Sequence, residues 1–286
     1  MLRASLLLGL LIAFRATAVA DEASPPALTE RQKEVGGLAE RFLGETELLD
    51  GDAPLVPVGP LIRWSNPTVG EVHGETYLWT RDGRPVCIGS VYHWFTPNWG
   101  DTLEIGSLTD HPLRGRQGGG PFWTPTGAKV VWDDLAGADA PAATPAARLV
   151  QMRRLVRGVS ATLGDTRGAK EGVSRRLRLM PQPLYRYTPP TPTATYLDGA
   201  VFAFVEGTDP ELLLMVEAVT QGGQPLWRSA FARVNSDAIE ARWEEGEQRT
   251  RASWSVEKLE YADILSATNK PYALFPLSGT SGRVKP

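Results

Sequence analysis

The stretch PLIRWSNP, Pro60 to Pro67, returns as PLYRYTPP at Pro183 to Pro190. Pro60, Leu61, Arg63 and Pro67 are matched by Pro183, Leu184, Arg186 and Pro190, and Trp64 and Ser65 by the similar Tyr187 and Thr188. The match gains weight from what surrounds it. Each octet follows an amphipathic segment that reaches a glycine, Gly44 or Gly164, and each is followed by a glycine that opens a hairpin, Gly74 or Gly199. Eleven residues beyond that glycine comes a proline, Pro85 or Pro210, and between them Tyr77-x-Trp79 aligns with Phe202-x-Phe204. Later, Trp99 precedes Leu103 by four residues, as Trp227 precedes Phe231. Co-linear landmarks of this kind point to an internal repeat, which has to be considered before any fold is assigned.

The unit that repeats reads as helix, short strand, hairpin, strand, strand. Thr29 with Gln32 three residues on forms a capping box, and Val35, Leu38, Ala39 and Phe42 fall on one helical face. Gly44 is expected to end this helix in the left-handed conformation. GETYLWTRDGRPVCIGSVYHW is a hairpin with Asp82-Gly83 at its turn. DTLEIGSLT and AKVVW add strands, while RGRQGGGPFWTPTG between them is too rich in Gly and Pro for regular structure. In the second copy, Thr144-Pro145 opens a helix whose stripe of Leu149, Met152, Val156, Val159 and Leu163 runs to Gly164. LRLM, PLYRY, the hairpin DGAVFAFVEGTDPELLLMVEAV, LWRSAFARV and a segment near Trp243 to Trp254 follow as strands. ELLLMV (Glu211 to Val216) is apolar without alternation, so it is expected to be buried on both faces at a seam between the copies.

The fold class that follows is α+β: two tandem modules, each a helix packed on a curved antiparallel sheet, in the manner of a cystatin-like or nuclear-transport-factor-like roll. The boundaries are a signal peptide at 1–20, module 1 at 28–134, a linker at 135–144, module 2 at 145–256, and a partly disordered C-terminal extension at 257–286.

Length and composition bound the rest. Arg3, the apolar run Leu6 to Phe14 and the Ala18-Val19-Ala20 cleavage motif make a secretory signal, so export to the periplasm or outside the cell is expected. Nine apolar residues are too few to cross a bilayer. Removing the signal leaves 28 basic and 33 acidic residues, a formal net charge of −5, which gives no broad attraction for nucleic acid. The single cysteine, Cys87, excludes an intramolecular disulfide. Its place between Val86 and Ile88 marks a buried thiol rather than a nucleophile.

Chemistry-bearing residues are few. The histidines are His73, His93 and His111. If the first hairpin turns on Gly83 alone, His73 and His93 face each other and could begin a zinc site with His111, Asp110 or Glu104. If Asp82-Gly83 is a two-residue turn, the commoner form, His73 faces Tyr92 and His93 points to the other surface. The second form leaves no metal site. No nucleophile-elbow, Walker, dinucleotide-binding or zincin motif occurs, so neither a catalytic residue nor a cofactor is assigned. Trp94, Phe95 and Trp99, in HWFTPNWG, are the candidates for stacking on a sugar or other small ligand. Arg148, Arg153, Arg154 and Arg157 give the second helix a basic, solvated face.

RWSNP, LWTRDGRP, TPAARLVQMR, RLMPQPLYRY and DGAVFAFVEGTDPE resemble blocks of an uncharacterised family of exported bacterial proteins. That resemblance covers most of the mature chain and implies export and a shared fold, with no activity attached. The expected function is a non-enzymatic module that binds a protein, small molecule or glycan. The alternatives are an enzyme with its site between helix and sheet, and a structural surface component.

Overall fold

The structure, a computed structural model, describes residues 28–128, 130–164, 174–191, 195–244 and 250–277; the signal peptide expected at 1–20 lies outside them. The chain is an α+β protein dominated by antiparallel sheets. No helix among the described residues is long and apolar enough to cross a membrane.

The first half runs α1 (Glu30–Glu45), β1 (Thr46–Asp50), β2 (Ala53–Pro54), β3 (Val56–Ser65), β4 (Glu71–Arg81), β5 (Arg84–Thr96), β6 (Gly100–Ser107), β7 (Leu113–Gln117), β8 (Gly120–Trp123) and β9 (Asp133–Asp134). The second runs α2 (Pro145–Val156), β10 (Val159–Gly164), β11 (Ser174–Arg176), β12 (Arg178–Leu179), β13 (Tyr185–Tyr187), β14 (Tyr196–Glu206), β15 (Asp209–Gln221), β16 (Gln224–Arg233), β17 (Ile239–Glu244), β18 (Thr250–Val256), α3 (Tyr261–Ile264) and β19 (Tyr272–Pro276).

Four sheets result. Two are small, with orders β2-β1-β7-β8 and β11-β10-β17-β18. Two are large, β19-β6-β5-β4-β3 and β12-β14-β15-β16-β9, with β13 also on β14. The halves exchange edges. β9 leaves the first half to pair with β16, at Arg228 and Ser229. β19 leaves the second half to pair with β6 over five residues.

Packing sets the layers. Leu38, Ala39 and Phe42 of α1, with Leu48 and Leu113 of the small sheet, cover one face of the first large sheet at Trp79, Cys87, Val91 and Leu103. Met152 and Val156 of α2, with Val159, Leu163 and Ile239, cover the second at Phe202, Phe204, Leu212 and Leu214. The remaining two faces meet: Leu78 and Ile88 pack with Val201, Ala203, Leu213, Met215 and Ala230. ELLLMV is therefore buried on both faces, alternate residues entering the seam and the helix-side core. Each such side chain contributes roughly 1.5–3 kcal/mol of apolar burial.

The repeated octets do the same work twice. Arg63 Nε donates to Glu75 at 2.6 Å, and Arg186 Nε to Asp198 at 3.0 Å, twelve residues on in each case. The next residue, Trp64 or Tyr187, lies flat against a cross-strand glycine. A Cβ on Gly74 or Gly199 would sit 2.2 Å from that ring. Each octet also braces the opposite hairpin. Ser65 N donates to Thr208 Oγ1 at 2.9 Å, and Tyr185 OH to the Gly83 carbonyl at 2.9 Å.

Several expectations are corrected. α1 continues past Gly44 to Glu45. The second helix ends at Val156, and Val159–Gly164 is strand β10 with alternate residues buried. Val159 and Leu163 are four apart, which suits a helix face and one face of a strand alike; Gly158 marks the change of period. RGRQGGGPFW forms part of the hairpin β7–β8, its glycines at the turn, with Gly118 and Gly119 at positive φ. AKVVW forms no strand among its described residues; the pairing begins at Asp133. The 135–144 segment is not a free linker, since Leu135 is buried in the α2-side core and the Ala140 and Ala142 carbonyls accept side-chain bonds. Within the C-terminal extension, β19 is a regular strand, and its Tyr272, Ala273 and Leu274 are buried.

Gly74→Ala and Gly199→Ala are each expected to cost about 1–3 kcal/mol, the usual cost of overpacking. Urea midpoints of the two variants check this, and a midpoint unchanged from wild type in either would contradict the ring-on-glycine reading.

Candidate functional site

Asp82 (φ 51°) and Gly83 (φ 78°) form the two-residue turn that the sequence favours, and Arg81 pairs with Arg84. The register nevertheless does not continue to His73 opposite Tyr92. Thr80 pairs with Pro85 but Trp79 with Cys87, so Val86 is an extra residue in the strand. Pro85 has no N–H to give the ladder, and a bulge is where a sheet tolerates that. The bulge moves the pairs from Trp79 to Val72 by one, and His73 comes opposite His93 after all, a correction to the expectation. The second hairpin does the same at Pro210: Val205 pairs with Pro210, Phe204 with Leu212, and Glu211 is extra.

This register sorts the candidate residues onto two faces of β5. His93 and Phe95 face α1. The His93 Nδ1 lies 2.5 Å from Asp101 Oδ1, its ring 4.2 Å from Phe95, and the Arg31 guanidinium 3.8 Å above Phe95. Burial lowers the pKa of His73, which keeps that ring neutral near pH 7. His111 is elsewhere: its Nε2 is 2.9 Å from Asp50 Oδ1. The three histidines thus do not converge, and no group of three His, Cys, Asp or Glu among the described residues could hold a metal ion. Cys87 is fully buried, and burial pushes its thiol well above the usual range.

Tyr92 and Trp94 face the other way, into a cleft of about 390 Å³ at one end of the seam between the large sheets. The Trp64 ring, fixed on Gly74 and donating from Nε1 to Thr76 Oγ1 at 3.1 Å, packs 5.6 Å from Tyr92. Trp99 crosses from the loop to pack at right angles to His93, ring centroids 4.6 Å apart, while remaining 48% exposed at the cleft. Of the three residues singled out for stacking, Trp94 and Trp99 line the cleft. Phe95 does not, because the strand alternates and Phe95 is buried on the opposite face.

Strands β6 and β19 of the same sheet extend this wall, and β15 of the other large sheet faces it. Glu104 accepts from Tyr272 OH. Burial, then the charge of Glu104, raises the Tyr272 pKa well above the ordinary value, so the phenol stays a donor. Glu211, the extra residue of the second bulge, is buried and accepts from Asn66 Nδ2 at 3.4 Å and from Asn235 Nδ2. Asp209 and Tyr261 complete the rim. Sequence reasoning raised Glu104 only as a zinc ligand and missed Asp209, Glu211, Tyr261 and Tyr272; the usable signal was Glu211, an acid one residue after the Pro210 turn in an otherwise apolar strand.

The second helix is less basic toward water than expected. Arg148 is buried, with Nε 2.9 Å from Asp198 Oδ2 and Nη1 on the Ala142 and Ala143 carbonyls. Asp198 thereby takes Arg148 as well as Arg186, so Arg148 turns inward rather than to water.

Two outcomes are expected. Cys87 should resist a water-soluble disulfide reagent in native buffer and react within minutes in denaturant; rapid native labelling would contradict its burial. The depressed His73 pKa means that the unfolded chain binds more protons below about pH 6.5. That contribution to stability is complete above about pH 6.5 and is lost as pH falls through the folded pKa. His73→Phe should therefore flatten the fall in urea midpoint between pH 7.5 and 5, relative to wild type.

No family model, no curated protein and no solved structure matches this chain.

Proposed function

We propose that the chain is an exported binding protein that takes a sugar ring, or a small molecule of similar shape, in the aromatic cleft at the end of the seam. One observation carries the reading. Among the large apolar residues left exposed in the described chain, both aromatics, Trp99 and Tyr261, line this one cleft. Exposed rings cost solvation that burial would relieve, and here they gather beside Trp94 rather than scatter. The volume is near the low end for small-ligand sites. Aromatic faces suit the C–H faces of a sugar, and Asp209, Glu211, Asn98 and Asn235 offer acceptors and amides for its hydroxyls.

The same reading includes two tandem copies of one helix-led module. It is supported by the matching strand orders of the small sheets, the paired arginine–acid contacts of the octets, and the equivalent bulges at Pro85 and Pro210. Each helix shares its side of the large sheet with a four-stranded sheet, so the unit is a helix and two sheets. Export rests on the leader sequence, Arg3 to Ala20. A second reading, hydrolysis of such a sugar, is favoured by the carboxylates of Glu104, Asp209 and Glu211, which line this cleft from both large sheets.

A glycan array followed by calorimetry tests this. Trp99→Ala should weaken the best ligand about tenfold, roughly 1.4 kcal/mol, with little change in stability. Trp94→Ala should weaken it further. Binding that is indifferent to both substitutions would sink the proposal, and release of reducing ends from a bound oligosaccharide would favour hydrolysis.

A further inference from the structure

At the other end of the same seam lies a second cleft of about 690 Å³, and its chemistry is different. Its floor is Glu217, whose side chain is wholly buried. Arg84 of the first half grips it with both arms of a fork, Nε to Oε1 at 2.8 Å and Nη2 to Oε2 at 3.1 Å. Arg228 places Nε and Nη2 on Oε2 at 3.0 and 2.6 Å, and Tyr187 OH donates to Oε1 at 2.8 Å. One carboxylate thus holds two guanidiniums, and the triad keeps a net positive charge.

Both arginines reach water on the cleft side, with 36% of the Arg84 side chain and 26% of that of Arg228 exposed. A guanidinium has five N–H donors. Glu217 occupies Nε and Nη2 of each; Nη1 of neither takes part. The forks are also held in plane. Trp132 lies 4.7 Å from the Arg228 guanidinium and 5.7 Å from that of Arg84, and Tyr196 lies 5.8 Å from Arg84. Burial works against the charge of Arg84, yet Glu217 outweighs it and raises its pKa, so the Arg84 head stays charged. The cleft is finished by apolar side chains, among them Val130, Leu108 and Met215.

We infer that this cleft binds a small organic anion, a carboxylate head on Arg84 and Arg228 with an apolar body along Trp132 and Tyr196. Pre-positioned arginines with spare donors recognise such a head in two-pronged fashion. The rim also carries Asp82 and Asp110, and Asp50 is already engaged by Arg81 and His111. Those acids oppose a polyanion and leave room for a single negative head.

The probe is 4-phenylbutyrate, titrated into the whole protein by calorimetry beside its neutral amide and its amine. The carboxylate should bind at least tenfold more tightly than either. Arg228→Gln should weaken it tenfold or more. Because that change also disturbs Glu217, Thr195→Glu is the second variant; it adds a negative charge on an exposed lining residue that Glu217 does not use. Thr195→Glu should keep the wild-type melting curve and lose the carboxylate. Equal affinity for amide and acid, no measurable binding of the acid, or an unaffected Thr195→Glu would each overturn the inference. Trp99→Ala should leave this binding untouched, which separates it from the aromatic cleft.

Discussion

Two large antiparallel sheets pressed face to face are the constraint on which the rest of this protein depends. An antiparallel sheet normally keeps one face for water. Here each large sheet already spends one face on a helix and a small sheet, so the other has to find an apolar partner. It finds the matching face of the other large sheet, around Ile88, Leu213 and Met215. The exchange of β9 and β19 ties the pair at their edges. What the seam cannot fill are its ends, where twisted sheets diverge. The two clefts sit there, and each draws residues from both halves.

Charge buried in the seam follows the same geometry. Gly74 stands opposite Tyr92 and Gly199 opposite Glu217, so one register position became an aromatic wall and the other an arginine-clamped acid. A buried carboxylate of this kind is costly unless fully paired. Arg84, Arg228 and Tyr187 supply that pairing, and Arg84 does so across the seam. The clamp thus joins the halves as well as shaping a cleft.

Local features were legible in the sequence. The Thr29–Gln32 capping box, the face of Val35, Leu38, Ala39 and Phe42, the Asp82-Gly83 turn and the double-faced burial of ELLLMV all follow from period and turn chemistry. Features that depend on long-range pairing were not. The bulge at Val86 decides which way His93 points, and nothing within the hairpin other than Pro85 hints at it. The small sheets join segments more than sixty residues apart, such as Leu49 with Arg114, through strands too short or too glycine-rich to announce themselves. The same holds for the site. Trp94 and Trp99 stood out as aromatics in a proline-bearing loop, whereas Glu211 and Tyr272 reach that cleft only through the fold.

Native-state hydrogen exchange tests the seam most directly. If the two sheets form one cooperative unit, the slowest amides of β5 and β15 open with the same free energy, and Leu213→Ala lowers both by the same amount. Retention of full protection in β5 while β15 loosens would mean that the halves stand independently, and the account of both clefts would fall with it.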